Sequence, residues 1–359
     1  MSQKQLILAI NPGSTSTKIA VYENEEQLFQ ENIKHEAKEI SAFEHISDQY
    51  SFRKELILNE VKKAGFELKD FVIIVGRGGL LKPISGGVWL VNDQMKKDLR
   101  VGIMGQHASN LGGLIASDIA AGIEGARAVI ADPVVVDELC DLARVSGHPI
   151  IERTSIFHAL NQKAIARKHA KEVNKNYEDL NLIVVHLGGG ISIGAHEKGK
   201  VIDVNQALDG EGPFSPERSG TLPVNEVIKL CFGGKHSQEE IQRMVCGKGG
   251  FVAYLGTNDA YEVECRAADG DKEAGFIQEA MAYQVSKEIG SCSAVLKGRV
   301  DGILLTGGIA YSKPFIELVK ERIGFIAPVF VYPGEDEMGS LAMNALMLIR
   351  DEIELKIYE

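Results

Sequence analysis

The 359-residue sequence contains no run of 18 or more apolar residues, so hydropathy excludes a membrane-spanning helix. Cysteine is scarce: Cys140, Cys231, Cys246, Cys265 and Cys292 are an odd number, widely scattered and without a C-x-x-C pair. That spacing supports neither a disulfide framework nor a zinc site and leaves them as buried or idle thiols. Basic residues are in deficit, 39 Lys+Arg against 50 Asp+Glu for a net charge of -11, which removes the broad cationic face that nucleic-acid binding rests on. A few basic side chains gathered locally could still serve a small anionic substrate. The first apolar run, Leu6–Ile10, is too short for a signal-peptide core and is followed by a glycine turn, so no targeting segment is read and the cytoplasm is the expected compartment. With 45% hydrophobic and 25% charged residues, the composition is that of an ordinary globular protein, and the length exceeds one comfortable core. Two domains are expected.

Periodicity then shows strands alternating with helices. The segments LILAI, KIAVYE, FVIIVGRGG, ARAVIADP, LNLIVVHLGGG, ISIGAHEKGKV, VDGILLTGGIA and APVFVYPG are β-branched runs ended by glycine, proline or charge. Helical patterns cover 52–65, 155–173, 223–230, 276–296 and 338–354. This is an α/β chain. It also echoes itself. Leu6–Val21 runs from an apolar stretch through a glycine-containing polar turn into an alternating strand, and Leu182–His196 repeats that grammar, which predicts a duplicated domain with a cleft between the halves. The least committed boundary lies near Gly147–Pro149, giving domains of 1–148 and 149–337.

The first glycine turn carries Ser14, Thr15, Ser16 and Thr17, whose hydroxyls, with several backbone N–H groups, suit phosphate oxygens. It is not a Walker loop, because Lys18 continues into a strand pattern. Around Gly188 and Gly190 a Rossmann fingerprint lacks its third glycine and runs into ISIGA instead of a helix. Plain hairpin turns are the competing reading for both. A third cluster, LLTGGIAYS at Leu304–Ser312, ends a buried strand and opens a helical stretch, where a nucleotide or a simple strand-to-helix turn fits.

In order along the chain these clusters resemble the acetate and sugar kinase, Hsp70 and actin superfamily. The resemblance narrows to the acetokinase family, and within it to members acting on butyrate. It is carried by NPGSTSTK (11–18), VGRGG (75–79), VIADPVVVDEL (129–139), RTSIFHALNQK (153–163), HLGGGIS (186–192), ERSG (217–220), TGGIAYS (306–312) and YPGEDEM (332–338). It implies a duplicated ribonuclease-H-like, actin-type fold of two domains, the first completed by a terminal helix over 338–359. It further implies ATP and Mg²⁺ as cofactors, transfer of the γ-phosphoryl group to a short-chain carboxylate such as butyrate, and a homo-oligomer. On the matching positions, Asn11, Gly13, Ser14, Ser16 and Lys18 would face phosphate, as would His186, Gly188, Gly189 and Gly190. Gly307, Gly308 and Ile309 would face adenosine.

The chemistry accounts for the absence of an obvious base. A carboxylate is already ionised at neutral pH, so the difficulty is bringing one anion to another. Guanidinium groups answer it, and Arg77 and Arg218 match the family's two active-site arginines. Asp132 matches an aspartate that orients an arginine, with a turn aspartate before Pro133 as the bland reading. His158 is read in the first turn of a helix beginning near Thr154 or Ser155, opposite the stripe Ile156, Leu160 and Ala164, where a neutral imidazole would donate to the phosphoryl group. For Mg²⁺ the candidates are Asn11, Asp336 and Glu337, with Glu335 an open alternative, because the ion prefers oxygen ligands.

Two departures from acetate kinases bear on specificity. Gly189 stands where those enzymes usually carry asparagine, and Gly79 stands where they place a pocket-lining valine, which predicts a larger acyl pocket with Phe157 as part of its wall. Two more buried methylenes favour butyrate over acetate by about 1.6 kcal/mol, on the order of fifteenfold. Propionate, acetate and branched acids are the nearest alternative substrates. A noncatalytic nucleotide switch of the actin type is the alternative of another class, against which the paired arginines count.

Overall fold

The computed structural model describes residues 5–43 and 45–359. They divide into two compact units, one of Met1–Val136 with Asp336–Glu359 and one of Asp137–Glu335. Segment 137–148, expected in the first unit, lies in the second, where the Cys140 N–H donates to the Ile202 carbonyl.

The first unit is built on β1 (Leu6–Pro12), β2 (Ser16–Glu23), β3 (Glu26–Lys34), β4 (Phe71–Arg77), β5 (Val88–Leu90) and β6 (Arg127–Ala131). The second carries β7 (Asn181–Leu187), β8 (Ile191–Glu197), β9 (Lys200–Val204), β10 (Gly302–Gly307) and β11 (Val329–Pro333), and β12 (Leu355–Ile357) returns to the first. The two sheets run β12-β5-β6-β4-β1-β2-β3 and β11-β10-β7-β8-β9. Each therefore contains the same motif: an antiparallel three-strand meander whose first strand also pairs in parallel with the next strand of the sheet. The echo heard in the sequence is this shared topology.

β7 shows why its sequence is continuously apolar. Ile183, Val185 and Leu187 pack into one core with Met281, Val285 and Ile289 of helix Lys272–Val295. Leu182 and Val184 face the other side, against Ala166 and Ala170 of helix Ala159–Glu172. A strand covered on both faces favours apolar residues, and a polar side chain on it, such as His186, needs a buried partner, here Asn161 Oδ1. β3 is the opposite case: an edge strand, mostly exposed, whose polar sequence offered no apolar alternation. In the first unit, glycines let helix Asn110–Ala121 lie directly on β4. A Cβ on Gly76 would come within 2.8 Å of the Gly113 nitrogen, and one on Gly112 within 3.0 Å of the Arg77 nitrogen.

Two sequence expectations need correction, and the cysteines divide as buried and exposed free thiols. ISIGAHEKGKV is not one strand but β8 and β9, joined at Lys198 and Gly199, both at positive φ (48° and 84°), a pair of conformations typical of a tight hairpin. The terminal helix stops at Ile349, and the chain goes on to form β12, paired in parallel with β5. Of the cysteines, Cys292 is buried but Cys231 is exposed, because it lies on helix Val224–Phe232, which has no buried residue.

Candidate active site

In the first unit the turn between β1 and β2 closes through a Gly13 N–H donated to the Ser16 carbonyl at 2.8 Å. Beneath it lies Arg53, fully buried, whose guanidinium donates to the carbonyls of Gly13 (2.7 Å), Ser14 (3.1 Å) and Ser16 (3.1 Å) and to Thr17 Oγ1 (3.1 Å). Gln49 Oε1 accepts two further N–H groups. Burial lowers the Arg53 pKa to about 10, which leaves it charged at neutral pH. With its carbonyls occupied from below, the turn keeps Ser14 and Thr15 exposed and Ser16 half-buried, while Lys18 is exposed on β2. Thr17 is not available to a ligand, since its hydroxyl is buried between Arg53 and His35 Nε2. Arg53 escaped the sequence reading, although it occupies the Arg53, Ile57, Val61 face of its helix, where an arginine on an apolar stripe is the available signal.

Asn11, at the end of β1, donates from Nδ2 to Glu337 Oε2 at 2.6 Å. Arg77, at the end of β4, donates from Nη1 to Glu337 Oε1 at 2.7 Å and to Asn11 Oδ1 at 3.3 Å. The neighbouring acids divide. Asp336 is the N-cap of helix Glu337–Ile349, accepting from the Gly339 N–H, whereas Glu335 belongs to the second unit and pairs with His186. Glu337 joins Asn11 and Arg77. Among the described residues no group of three or more His, Cys, Asp or Glu could cage a metal. An Asn carbonyl and one carboxylate still fit Mg²⁺, which keeps several waters and relies on phosphate oxygens. Asp132 is buried, at φ 36°, and its Oδ1 accepts from the Gly87 N–H at 2.7 Å. His107, absent from the sequence reading, has its pKa lowered by burial of its ring and then by the positive charge of Arg77.

Gly79 does not open a pocket. A Cβ there would lie 2.6 Å from Asn110 Cα and 2.9 Å from Asn110 N, and the Asn110 amide bonds the next residue, Leu80, at 2.8 Å. The glycine permits that close approach, so the valine-sized space inferred from sequence is filled by Asn110. Gly79→Val is therefore expected to lose about 1–3 kcal/mol of stability in urea unfolding rather than gain selectivity for acetate. Phe157, the other expected wall residue, is fully buried.

In the second unit, Gly188, Gly189 and Gly190 form the turn between β7 and β8, closed by a Gly188 N–H donated to the Gly190 carbonyl at 3.1 Å. The guanidinium of Arg218 lies against Gly190: a Cβ there would be 3.0 Å from Arg218 Nε and nearer still to Nη1 and Cζ. Nη1 donates to the Ala207 carbonyl at 2.5 Å, and the buried Nε has no hydrogen-bond partner. Among the described residues Arg218 makes no ion pair. A buried donor without a partner is uncommon and marks a place where an anion oxygen would be welcome.

His186 ends β7, with Nδ1 2.8 Å from Asn161 Oδ1 and Nε2 3.2 Å from Glu335 Oε1. His158 stacks on it, ring centroids 3.8 Å apart and planes at 11°. The helix behind His158 starts later than expected, at Ala159, with His158 as its N-cap, because the Ile156 carbonyl is taken by the Ala207 N–H. Its buried face is Asn161, Gln162, Lys163, Ala166 and His169, not the stripe Ile156, Leu160 and Ala164. The glycine turn borders a cavity of about 450 Å³ that also includes Gly308, Ile309 and Tyr311. Gly307, at φ 92°, must be glycine, since a Cβ would strike the Leu187 backbone. One cavity thus joins two of the three glycine clusters.

The acetokinase family model matches residues 148–326. Butyrate kinase 2 of Clostridium acetobutylicum is 55% identical over 353 residues, covering 98% of this chain and 99% of the relative, and butyrate kinase 1 of the same organism is 54% identical over 353 residues with the same coverage. The solved acetate kinase of Porphyromonas gingivalis shares the fold, with a TM-score of 0.80 at 18% identity, covering 96% of this chain and all of that one. On full-length likeness to those relatives and the family match, the chain belongs to the acetokinase family.

Proposed function

We propose that this chain transfers the γ-phosphoryl group of ATP to butyrate, forming butanoyl phosphate and ADP, and that the reaction runs in either direction. Likeness to butyrate kinases along the whole chain supports the substrate. The observation that carries the chemistry is Arg218, its guanidinium seated on the Gly188–Gly190 turn with a buried Nε unpaired. The incoming carboxylate oxygen forms the new P–O bond, and the bond from the γ-phosphorus to the bridging oxygen breaks, its electron pair leaving with ADP. No proton moves, so no base is needed.

Within this reading the backbone of Gly188–Gly190 and of Gly13–Ser16 binds phosphate, and the cavity at Gly308 and Ile309 takes adenosine. Arg77, held in place by Glu337 and Asn11, binds the carboxylate. Arg218 and an N–H of His158 offset charge on the equatorial oxygens, where fixed donors lower the barrier most. Asp132 steadies the strand ends from which Arg77 projects. Asn11 and Glu337 would hold Mg²⁺, which when bound neutralises phosphate charge. A cytoplasmic site of action follows from the use of ATP. A homo-oligomer fits the exposed Val224, Ile228 and Phe232 on one helix, and sedimentation at 39.1 kDa would remove that part.

Trapping the acyl phosphate as its hydroxamate, across acetate, propionate, butyrate and isobutyrate, tests the assignment. Butyrate is expected to exceed acetate in kcat/KM by on the order of fifteenfold. ATP binding without carboxylate-dependent ADP release would overturn it.

A further inference from the structure

Behind His158 lies a buried chain of polar groups that the reaction itself does not use. Gln162, Ser192 and His196 are fully buried, and Tyr177 nearly so. The chain has one fixed end, the backbone carbonyl of Ser192, which can only accept. Gln162 Nε2 lies 3.0 Å from it and 2.8 Å from Ser192 Oγ, so both amide protons are committed to Ser192. That orientation turns Gln162 Oε1 toward His196 Nε2 at 2.9 Å, which must then carry a proton, leaving His196 Nδ1 to accept from the Tyr177 hydroxyl at 2.7 Å. Burial, and then the charges of Lys163 and Arg167, hold the His196 pKa well below its ordinary value, consistent with one ring proton. Gly194 makes room for the bridge, since a Cβ there would crowd Gln162 Oε1 and His196 Nε2 at 2.5 and 3.0 Å.

The other end of the chain is His158. Ser192 Oγ accepts from Gln162 and, more weakly at 3.4 Å, from the His158 backbone N–H, so both its acceptor positions are occupied. Its own proton has one direction left, to His158 Nδ1 at 2.8 Å. We infer that Tyr177, His196, Gln162 and Ser192 are positioning residues that lock His158 as the neutral tautomer protonated on Nε2, a hydrogen-bond donor rather than a base. Stacking on His186 fixes the plane of the same ring. This rests on the phosphoryl-transfer reading only for its purpose; the tautomer follows from the hydrogen bonds.

Nitrogen-15 NMR of the full chain labelled at histidine reads ring protonation directly, with His158 assigned through His158→Asn. The wild type at neutral pH is expected to show His158 protonated at Nε2 and bare at Nδ1. Ser192→Ala removes the donor to Nδ1 and is expected to give mixed tautomers, with kcat lower by about tenfold and KM for ATP changed less. Ser192→Thr keeps the hydroxyl and is expected to restore the wild-type pattern. A proton on His158 Nδ1 in the wild type, or an unaltered Nε2 tautomer in a folded Ser192→Ala, would overturn the inference. If Ser192→Ala does not fold, the wild-type spectrum decides alone. Failure of the kinase reading would appear in the acid series and leave this spectrum untouched.

Discussion

Arg218→Ala is expected to lower kcat for butanoyl phosphate formation by at least about 10²-fold, on the scale of charge-stabilising arginines in phosphoryl transfer. The corresponding barrier, about 2.7 kcal/mol, is what loss of one preorganised donor at a developing negative charge typically costs. Stability should change little, because among the described residues the guanidinium of Arg218 bonds the Ala207 carbonyl and pairs with no carboxylate. Lysine is not expected to rescue, since a point charge cannot present a planar fork of donors beside Gly190. Gly190→Ala should reproduce much of the defect while Arg218 stays intact: its Cβ would occupy the guanidinium position, and a flexible side chain moves aside more cheaply than backbone. Steady-state kinetics with melting curves check both. Near-normal turnover in purified, folded Arg218→Ala would remove this arginine from the reaction.

Arg53→Met is expected to act first on stability, by about 4 kcal/mol. It strands three turn carbonyls and Gln49 Oε1, at roughly 1–3 kcal/mol for each acceptor that water cannot reach. The lower end applies, because Ser14 and its neighbours are near solvent. For the first unit that loss is on the order of 10 °C in melting temperature. KM for ATP should rise in the fraction that remains folded, since the Gly13–Ser16 turn would no longer be pinned from below. Thermal unfolding followed by ATP titration separates the two effects. An unchanged melting temperature would mean that Arg53 is not what holds the turn.

The two arginines illustrate what could be read early. Arg218 is legible because the short motif ERSG in which it stands matches an active-site arginine of the family that the chain resembles. Arg53 was hidden inside an ordinary helix, and only its place on the buried Arg53, Ile57, Val61 face distinguishes it. The reading of Gly79 failed for a related reason. A missing side chain in a sequence suggests space, but only coordinates show that Asn110 fills it. Likewise the acidic run at 335–337 looked like one feature, yet its members go to His186, to a helix cap and to Arg77.

By itself the sequence determined the α/β class and the repeated strand–turn–strand unit, because those depend on local periodicity and on glycine placement, whereas the third strand of each meander came only from the structure. It also showed the three glycine clusters, since each stands at the end of an apolar run. Only the tertiary structure decided which polar atoms are left without partners and which are spoken for. Hydrogen bonds between residues 30 to 330 positions apart, such as Gln162 to Ser192 and Asn11 to Glu337, leave no periodic trace along a chain. Those bonds choose Glu337 among three acids, bury Thr17, and set the proton on His158.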